Sequence, residues 1–66
     1  MEIVLNGQSR LLDGPLSVAG LIESLGFAGK RIAVERNGEI VPKSAYAQTM
    51  ISPGDQLEIV VAVGGG

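Results

Sequence analysis

Apolar positions recur with two different spacings along this chain, and the change of spacing divides it into elements. Val18, Leu21, Ile22 and Leu25 fall at i, i+3, i+4 and i+7, the stripe of one helix face. Ser17 stands where an N-cap is needed, and Gly26 where a left-handed residue ends a helix. Gly20, inside this helix, costs about 1 kcal/mol against alanine. Its small size would let the helix approach a sheet closely. From Gln56 to Val63 the spacing is two. Leu57, Ile59, Val61 and Val63 share one strand face, and Glu58, Val60 and Ala62 share the other. That second face is unusually apolar for a side left in water.

The remaining segments are marked by their turns. Glu2 to Leu5 is a short β-rich run closed by Asn6-Gly7, and Gln8 to Leu12 is the expected return strand. Asp13-Gly14-Pro15 then breaks the ladder, because proline donates no hydrogen bond. Ile32 to Arg36 reads as a strand with Ile32 and Val34 on one face. Asn37-Gly38 turns it into Glu39-Ile40-Val41, and Pro42 ends the return. Asn-Gly suits a type I′ hairpin turn because both central residues take positive φ. Lys43 to Ser52 is polar and irregular, with Tyr46 and Met50 as the expected anchors. Pro53-Gly54 suits positions i+1 and i+2 of a type II turn.

The resulting order, ββαβ(β)β, predicts a small α+β fold. One helix covers one face of a mixed sheet of four to five strands and leaves the other face partly exposed. The first and last strands are expected side by side and parallel in the centre, joined by a right-handed crossover. The domain is expected over residues 1–63, with 64–66 as a flexible glycine tail.

With 66 residues there is one small domain and no room for a deep active site. Cysteine and histidine are both absent, which removes the thiolate nucleophile, the usual general base and the commonest metal ligand. No catalytic or metal-ligating side chain is therefore expected. The acid pairs nearest in sequence, Glu35/Glu39 and Asp55/Glu58, read as solvated turn and strand-edge charges. The net charge is −2, and Lys30, Arg31, Arg36 and Lys43 read as scattered among acids. Arg36 and Lys43 could pair with acids on a partner, but charges so weakly localised read as plain surface. With Phe27 and Tyr46 as the only aromatics, nucleic-acid binding is not expected. Neither a signal peptide nor a membrane span is legible, which predicts a soluble cytoplasmic domain.

Gly64-Gly65-Gly66 have no folding rationale, since glycines beyond a strand pack nothing and lose the most backbone freedom on ordering. They suit a terminal carboxylate, at Gly66, that must enter a narrow channel where side chains at Gly64 or Gly65 would clash. A P-loop is not expected, because no Lys, Ser, Thr or helix follows in this sequence. Fully extended, three residues span at most about 10 Å. Ordering them costs about 1–2 kcal/mol each, which a partner must offset through contacts on the domain. Val60 and Ala62 are the candidates for that docking surface. The alternative is that they simply pack beneath the 43–52 segment.

The length, the element order, the Gly65-Gly66 end and the stretch Asn37-Gly38-Glu39-Ile40-Val41-Pro42-Lys43 together resemble the sulfur carriers of thiamine biosynthesis, the ThiS family. The Gly54-Asp55-Gln56 approach to Leu57-Glu58-Ile59-Val60 is also similar to that family. The resemblance covers the whole chain. A Gly-Gly end is common to ubiquitin-like carriers, whereas the Asn-x-x-Ile-Val-Pro-Lys stretch is more particular. It implies a ubiquitin-like β-grasp domain that is a substrate rather than a catalyst; with no basis in the sequence for oligomerisation, a monomer is expected when free. It also implies that a ThiF-like adenylyltransferase uses ATP to activate the Gly66 carboxylate. A protein persulfide would then supply sulfur for a C-terminal thiocarboxylate, which a ThiG-like thiazole synthase consumes. Gly64 departs modestly from the pattern, since other members can carry a different small residue there.

Three alternatives stand beside this one. The sulfur carrier of molybdopterin biosynthesis uses the same terminal chemistry, but those chains tend to be longer, with aromatic or proline residues before the glycines. A protein modifier would form isopeptide conjugates with lysines. A plain binding module would carry an inert tail.

Overall fold

Both Asn-Gly pairs turn the chain as their composition requires, with φ of 50° and 80° at Asn6 and Gly7 and of 52° and 84° at Asn37 and Gly38. The computed structural model describes residues 1–62. The first turn joins β1 (Glu2–Leu5) to β2 (Gln8–Leu11) and the second joins β3 (Ile32–Arg36) to β4 (Glu39–Val41). Between the hairpins lies α1 (Val18–Ser24). A 3₁₀ turn (Lys43–Ala45) and β5 (Gln56–Val61) follow. Val63, expected on the inner strand face, and the tail at 64–66 lie outside the described residues.

The strands form one sheet in the order β2-β1-β5-β3-β4. β5 is central, parallel to β1 and antiparallel to β3. The expected mixed sheet with adjacent first and last strands is thus present, and its strands number five. Among the described residues one α-helix covers the sheet. Ile3 and Leu5 of β1, Val34 of β3 and Leu57 and Ile59 of β5 meet Val18, Leu21 and Ile22 of the helix in the core.

A helix of 7 residues is too short to persist alone. Burying a large aliphatic side chain contributes about 1.5–3 kcal/mol. Three such residues outweigh the penalty at Gly20. The helix starts at Ser17, whose Oγ accepts from the Gly20 N–H at 3.0 Å, and Gly26 (φ 78°) follows its C-cap, Leu25. Gly20 serves a different neighbour from the one expected. A Cβ there would lie 2.7 Å from Leu16 Cδ1, with no sheet atom among its nearest neighbours, so the missing side chain makes room for Leu16.

The irregular segment is fixed by the same helix start. The Val18 and Ala19 N–H groups, which have no partner within the helix, donate to the carbonyls of Thr49 (2.9 Å) and Tyr46 (3.0 Å). The Ile51 N–H donates to the Leu16 carbonyl at 2.9 Å. Tyr46 is half-buried against the core as expected, but Met50 is 50% exposed and Ile51 is the buried anchor. Met50 pairs with Ser17 in an isolated bridge, and strand-like alternation there sends the next side chain inward. Gly54 (φ 83°) and the Asp55 N–H to Ser52 carbonyl bond at 3.1 Å complete the type II turn.

The turn asparagines do more than accept positive φ. Asn6 Oδ1 accepts from the Ile59 N–H at 2.8 Å, and Asn6 Nδ2 donates to the Ile59 carbonyl at 3.2 Å. Where β1 turns away, this amide stands in for the peptide unit that would have continued the ladder. Asn37 repeats the device at the other end of β5, accepting from the Gln56 N–H at 2.9 Å and donating to Asp55 Oδ1 at 3.1 Å.

Two substitutions separate the asparagine's tasks. Asn6→Gly keeps the backbone conformation and removes both bonds to Ile59, at an expected loss of about 1–2 kcal/mol. Asn6→Ala keeps a Cβ at positive φ without the local hydrogen bonding that lets asparagine tolerate it, so it should be roughly 1 kcal/mol less stable than Asn6→Gly. Urea denaturation measures both. An Asn6→Ala variant as stable as the parent, with its Cβ kept and both bonds gone, would show that the side-chain bonds contribute nothing.

Candidate functional site

Alternation along β5 sends Leu57 and Ile59 into the core and Glu58 and Val60 to the face away from the helix. Val60 is 63% exposed, and Ala62 beyond the strand is also exposed. Across the ladder Val60 stands opposite Ala33 of β3, itself exposed, so the two form one apolar patch. Next along the strands Glu58 stands opposite Glu35, and Glu35 is opposite the exposed Ile40 of β4. The 43–52 segment docks on the helix start and leaves Val60 open, which removes the alternative that it covers this residue.

At the end of the sheet where β5 leaves, this patch opens into a groove of about 500 Å³. Ala33, Val60 and Ala62 line one part of it. Ile22, Phe27, Ile32 and Tyr46 line another. The Ala62 N–H donates to the Arg31 carbonyl at 2.8 Å, which fixes the last described residue against the groove wall. Ala62 thus lies beside the apolar patch, and Gly64, Gly65 and Gly66 lie outside the described residues.

The acids and bases are arranged differently from the sequence expectation. Glu35 and Glu39 lie on opposite faces, because Glu39 is level with Arg36. Glu35 instead meets Glu58. Like charges directly opposite are destabilising, and here they border the exposed patch. Asp55 is buried, not solvated. Its Oδ2 accepts from Arg36 Nε at 2.7 Å and from the Ser52 N–H at 2.8 Å, while Oδ1 accepts from Asn37. Arg36 is therefore committed within the chain rather than being plain surface. Burial alone would raise the Asp55 pKa. The Ser52 N–H, the Arg36 guanidinium and the Asn37 amide outweigh it and hold the carboxyl below its usual value of 3.8. This cluster joins the β3–β4 turn to the start of β5. Its charge-paired, hydrogen-bonded carboxylate is structural.

Residues 3–66 match the ThiS family. The chain belongs to the ThiS family. The resemblance drawn from Asn37–Lys43 and the glycine end is thereby borne out, including the β-grasp fold and the sulfur-carrier class. Among solved structures, the crystal structure of the thiamine biosynthesis protein ThiS from Geobacter metallireducens is 33% identical. Each chain is covered to 100%, with a TM-score of 0.85. Among curated proteins, a thiazole synthase of Paramagnetospirillum magneticum is 48% identical over 66 residues, which are 100% of this chain and 20% of that protein. A second thiazole synthase, from Magnetococcus marinus, is 38% identical with the same coverage. This ThiS-family chain thus spans about a fifth of the length of the thiazole synthases it matches. The protein ycf40 of Porphyra purpurea is 36% identical, with coverage of 100% and 93%. Among the described residues of this ThiS-family chain, no helix is long and apolar enough to cross a membrane.

Acid titration tests the role given to Asp55. A carboxylate whose folded pKa lies below its unfolded value contributes stability that is present above the unfolded value and lost as pH falls through the folded one. Stability should therefore decline as pH drops from about 3.8 toward the lowered value. Asp55→Asn should be less stable at neutral pH and lose less on acidification. Parallel stability–pH curves for parent and variant would remove Asp55 from the account.

Proposed function

We propose that this chain is the protein co-substrate of thiazole formation, carrying sulfur on the carboxyl group of Gly66. The supporting observation is that the family match continues through the glycines to residue 66, beyond a β5 that ends beside an exposed apolar patch. A bare carboxylate has no good leaving group. A ThiF-like adenylyltransferase would supply one by joining the Gly66 carboxylate to the α-phosphate of ATP and releasing pyrophosphate. The terminal sulfur of a donor persulfide then attacks the acyl carbon and expels AMP. The acyl disulfide so formed is cleaved by a second thiol, which pairs with the donor sulfur and leaves the thiocarboxylate. A ThiG-like thiazole synthase takes that sulfur.

None of these steps uses a side chain of this molecule as acid, base or nucleophile, so the chain acts as substrate. Two properties are required of it instead. Gly64 and Gly65 must pass through a narrow channel, and the domain must be gripped firmly enough to offset the ordering of the tail. Val60 and Ala62, with Ala33 beside them, form the surface for that grip, bordered by Glu35 and Glu58. The similarity of this chain to part of two proteins named thiazole synthase supports such a synthase as a partner.

Intact-mass measurement after expression with the pathway enzymes is the direct test. A species heavier by the exchange of one oxygen for one sulfur, localised to Gly66, is expected. An unmodified mass, with no adenylate formed on adding ATP and the activating enzyme, would overturn the carrier reading.

Two variants test its parts. Gly65→Ala should slow adenylation more than it weakens binding, and equal activation rates would discard the channel argument. Val60→Asp, at an exposed position of a central strand, should cost about 1 kcal/mol through lost strand propensity and leave the domain folded, while weakening adenylyltransferase binding. Unchanged affinity would remove Val60 from the docking surface.

A further inference from the structure

The groove beside the end of β5 gathers charge that is dispersed along the sequence. Lys30, Arg31 and Lys43 all line it. They are three of the chain's five Lys and Arg residues, in a molecule of net charge −2. No acidic side chain among the described residues shares the lining. Scattered placement was the expectation, and the β3–β4 hairpin is what overturns it. Because β4 runs antiparallel to β3, the chain after Val41 returns to the level where β3 began. That brings Lys43 next to the loop that carries Lys30 and Arg31.

Among the described residues, none of these three cations is held in an ion pair. Lys30 Nζ sits 5.9 Å from the centroid of the Phe27 ring, which also lines the groove, a contact that leaves the ammonium its charge. Between the cations the floor is apolar, made by half-buried Phe27, Ile32 and Tyr46 beside Ile22. A cationic rim around an apolar floor discriminates by sign of charge and by shape together. Opposite charges steer the encounter, and the apolar contact slows release.

We propose that this groove is a docking site for an acidic segment of a partner protein bearing one large apolar side chain. The apolar side chain fills the floor, and carboxylates on either side pair with Lys30, Arg31 and Lys43. The assignment deepens the docking reading given above by naming the chemistry of the partner's segment. Its test does not depend on which protein supplies that segment.

The probe is a short capped peptide of alternating Asp and Glu around a central Phe, titrated into the isotope-labelled full chain and followed by amide chemical shifts. Saturable shifts are expected at residues 27–33, 43–46 and 60–62. Raising the salt until the Debye length falls from about 10 Å to about 3 Å should weaken binding several-fold. Replacing the central Phe by Ala, or the acids by Asn and Gln, should each weaken it at least about fivefold, or roughly 1 kcal/mol. The Lys30→Glu/Lys43→Glu double variant should abolish the shifts, whereas Arg10→Glu on β2 should leave them unchanged.

Shifts spread equally around Arg10, or an Arg10→Glu effect as large as that of the double variant, would reduce the binding to unspecific charge attraction and overturn the proposal. So would the absence of saturation at millimolar peptide, or ATP producing the groove shifts when the peptide does not. A folded Lys30→Gln/Lys43→Gln variant with undiminished binding would do the same, and it covers the case in which the charge reversal fails to fold. Peptide binding by a chain that never acquires sulfur would uphold the groove and overturn the carrier reading alone.

Discussion

Strand β5 has a neighbour on each edge, and the sheet is complete only when it lies between them. Its inner residues, Leu57 and Ile59, fill the middle of the core, and without them the two hairpins would share no continuous surface. The ladders to β1 and β3 are unequal in extent. β1 is in register only at Val4–Gln56 and Leu5–Leu57 before it turns, whereas β3 runs alongside β5 from Ile32 to Arg36. The Asn6 amide makes up part of the difference by continuing the bonding to Ile59. In a chain this small such substitutions matter, because the core alone rarely supplies more than roughly 3–5 kcal/mol of net stability.

The same placement has a functional consequence. A central strand held on both edges is a fixed post that carries the chain as far as Ala62. One face of that post is spent on the core. The other is left to Val60, and an apolar residue on an open sheet face costs little in a monomer while offering a partner area to bury. The stability of the domain and its readiness to be gripped thus come from opposite sides of one strand.

Asp55 illustrates how a polar group can serve the fold. It precedes β5 and lies where the β3–β4 turn comes closest. Burying a carboxylate without partners would be expensive. Here a guanidinium, an amide and a backbone N–H converge on it, so the charge is retained and the turn is tied to the strand. A pair of acids close in sequence suggested shared solvation for Asp55 and Glu58. Alternation separates them, one into this network and the other to the open face beside Glu35.

Much of the architecture was legible in the sequence because it depends on local conformation. Positive φ at Asn6-Gly7, Asn37-Gly38 and Gly54, the Ser17 cap, the Gly26 stop and the two apolar periodicities are each decided within a few residues. From them the element order and the central parallel pair followed. The glycine end and the Asn37–Lys43 stretch carried the family. What remained hidden depends on residues far apart in the chain. The sequence did not show that the Asn6 amide would complete a ladder 53 positions away, that Gly20 would yield to Leu16, or that Ile51 would anchor where Met50 was expected. Nor did it show that Lys30, Arg31 and Lys43 would meet around one groove. Turn types and periodicities are properties of neighbouring dihedral angles, whereas the partners of a side chain are set by which strands the packed sheet brings side by side.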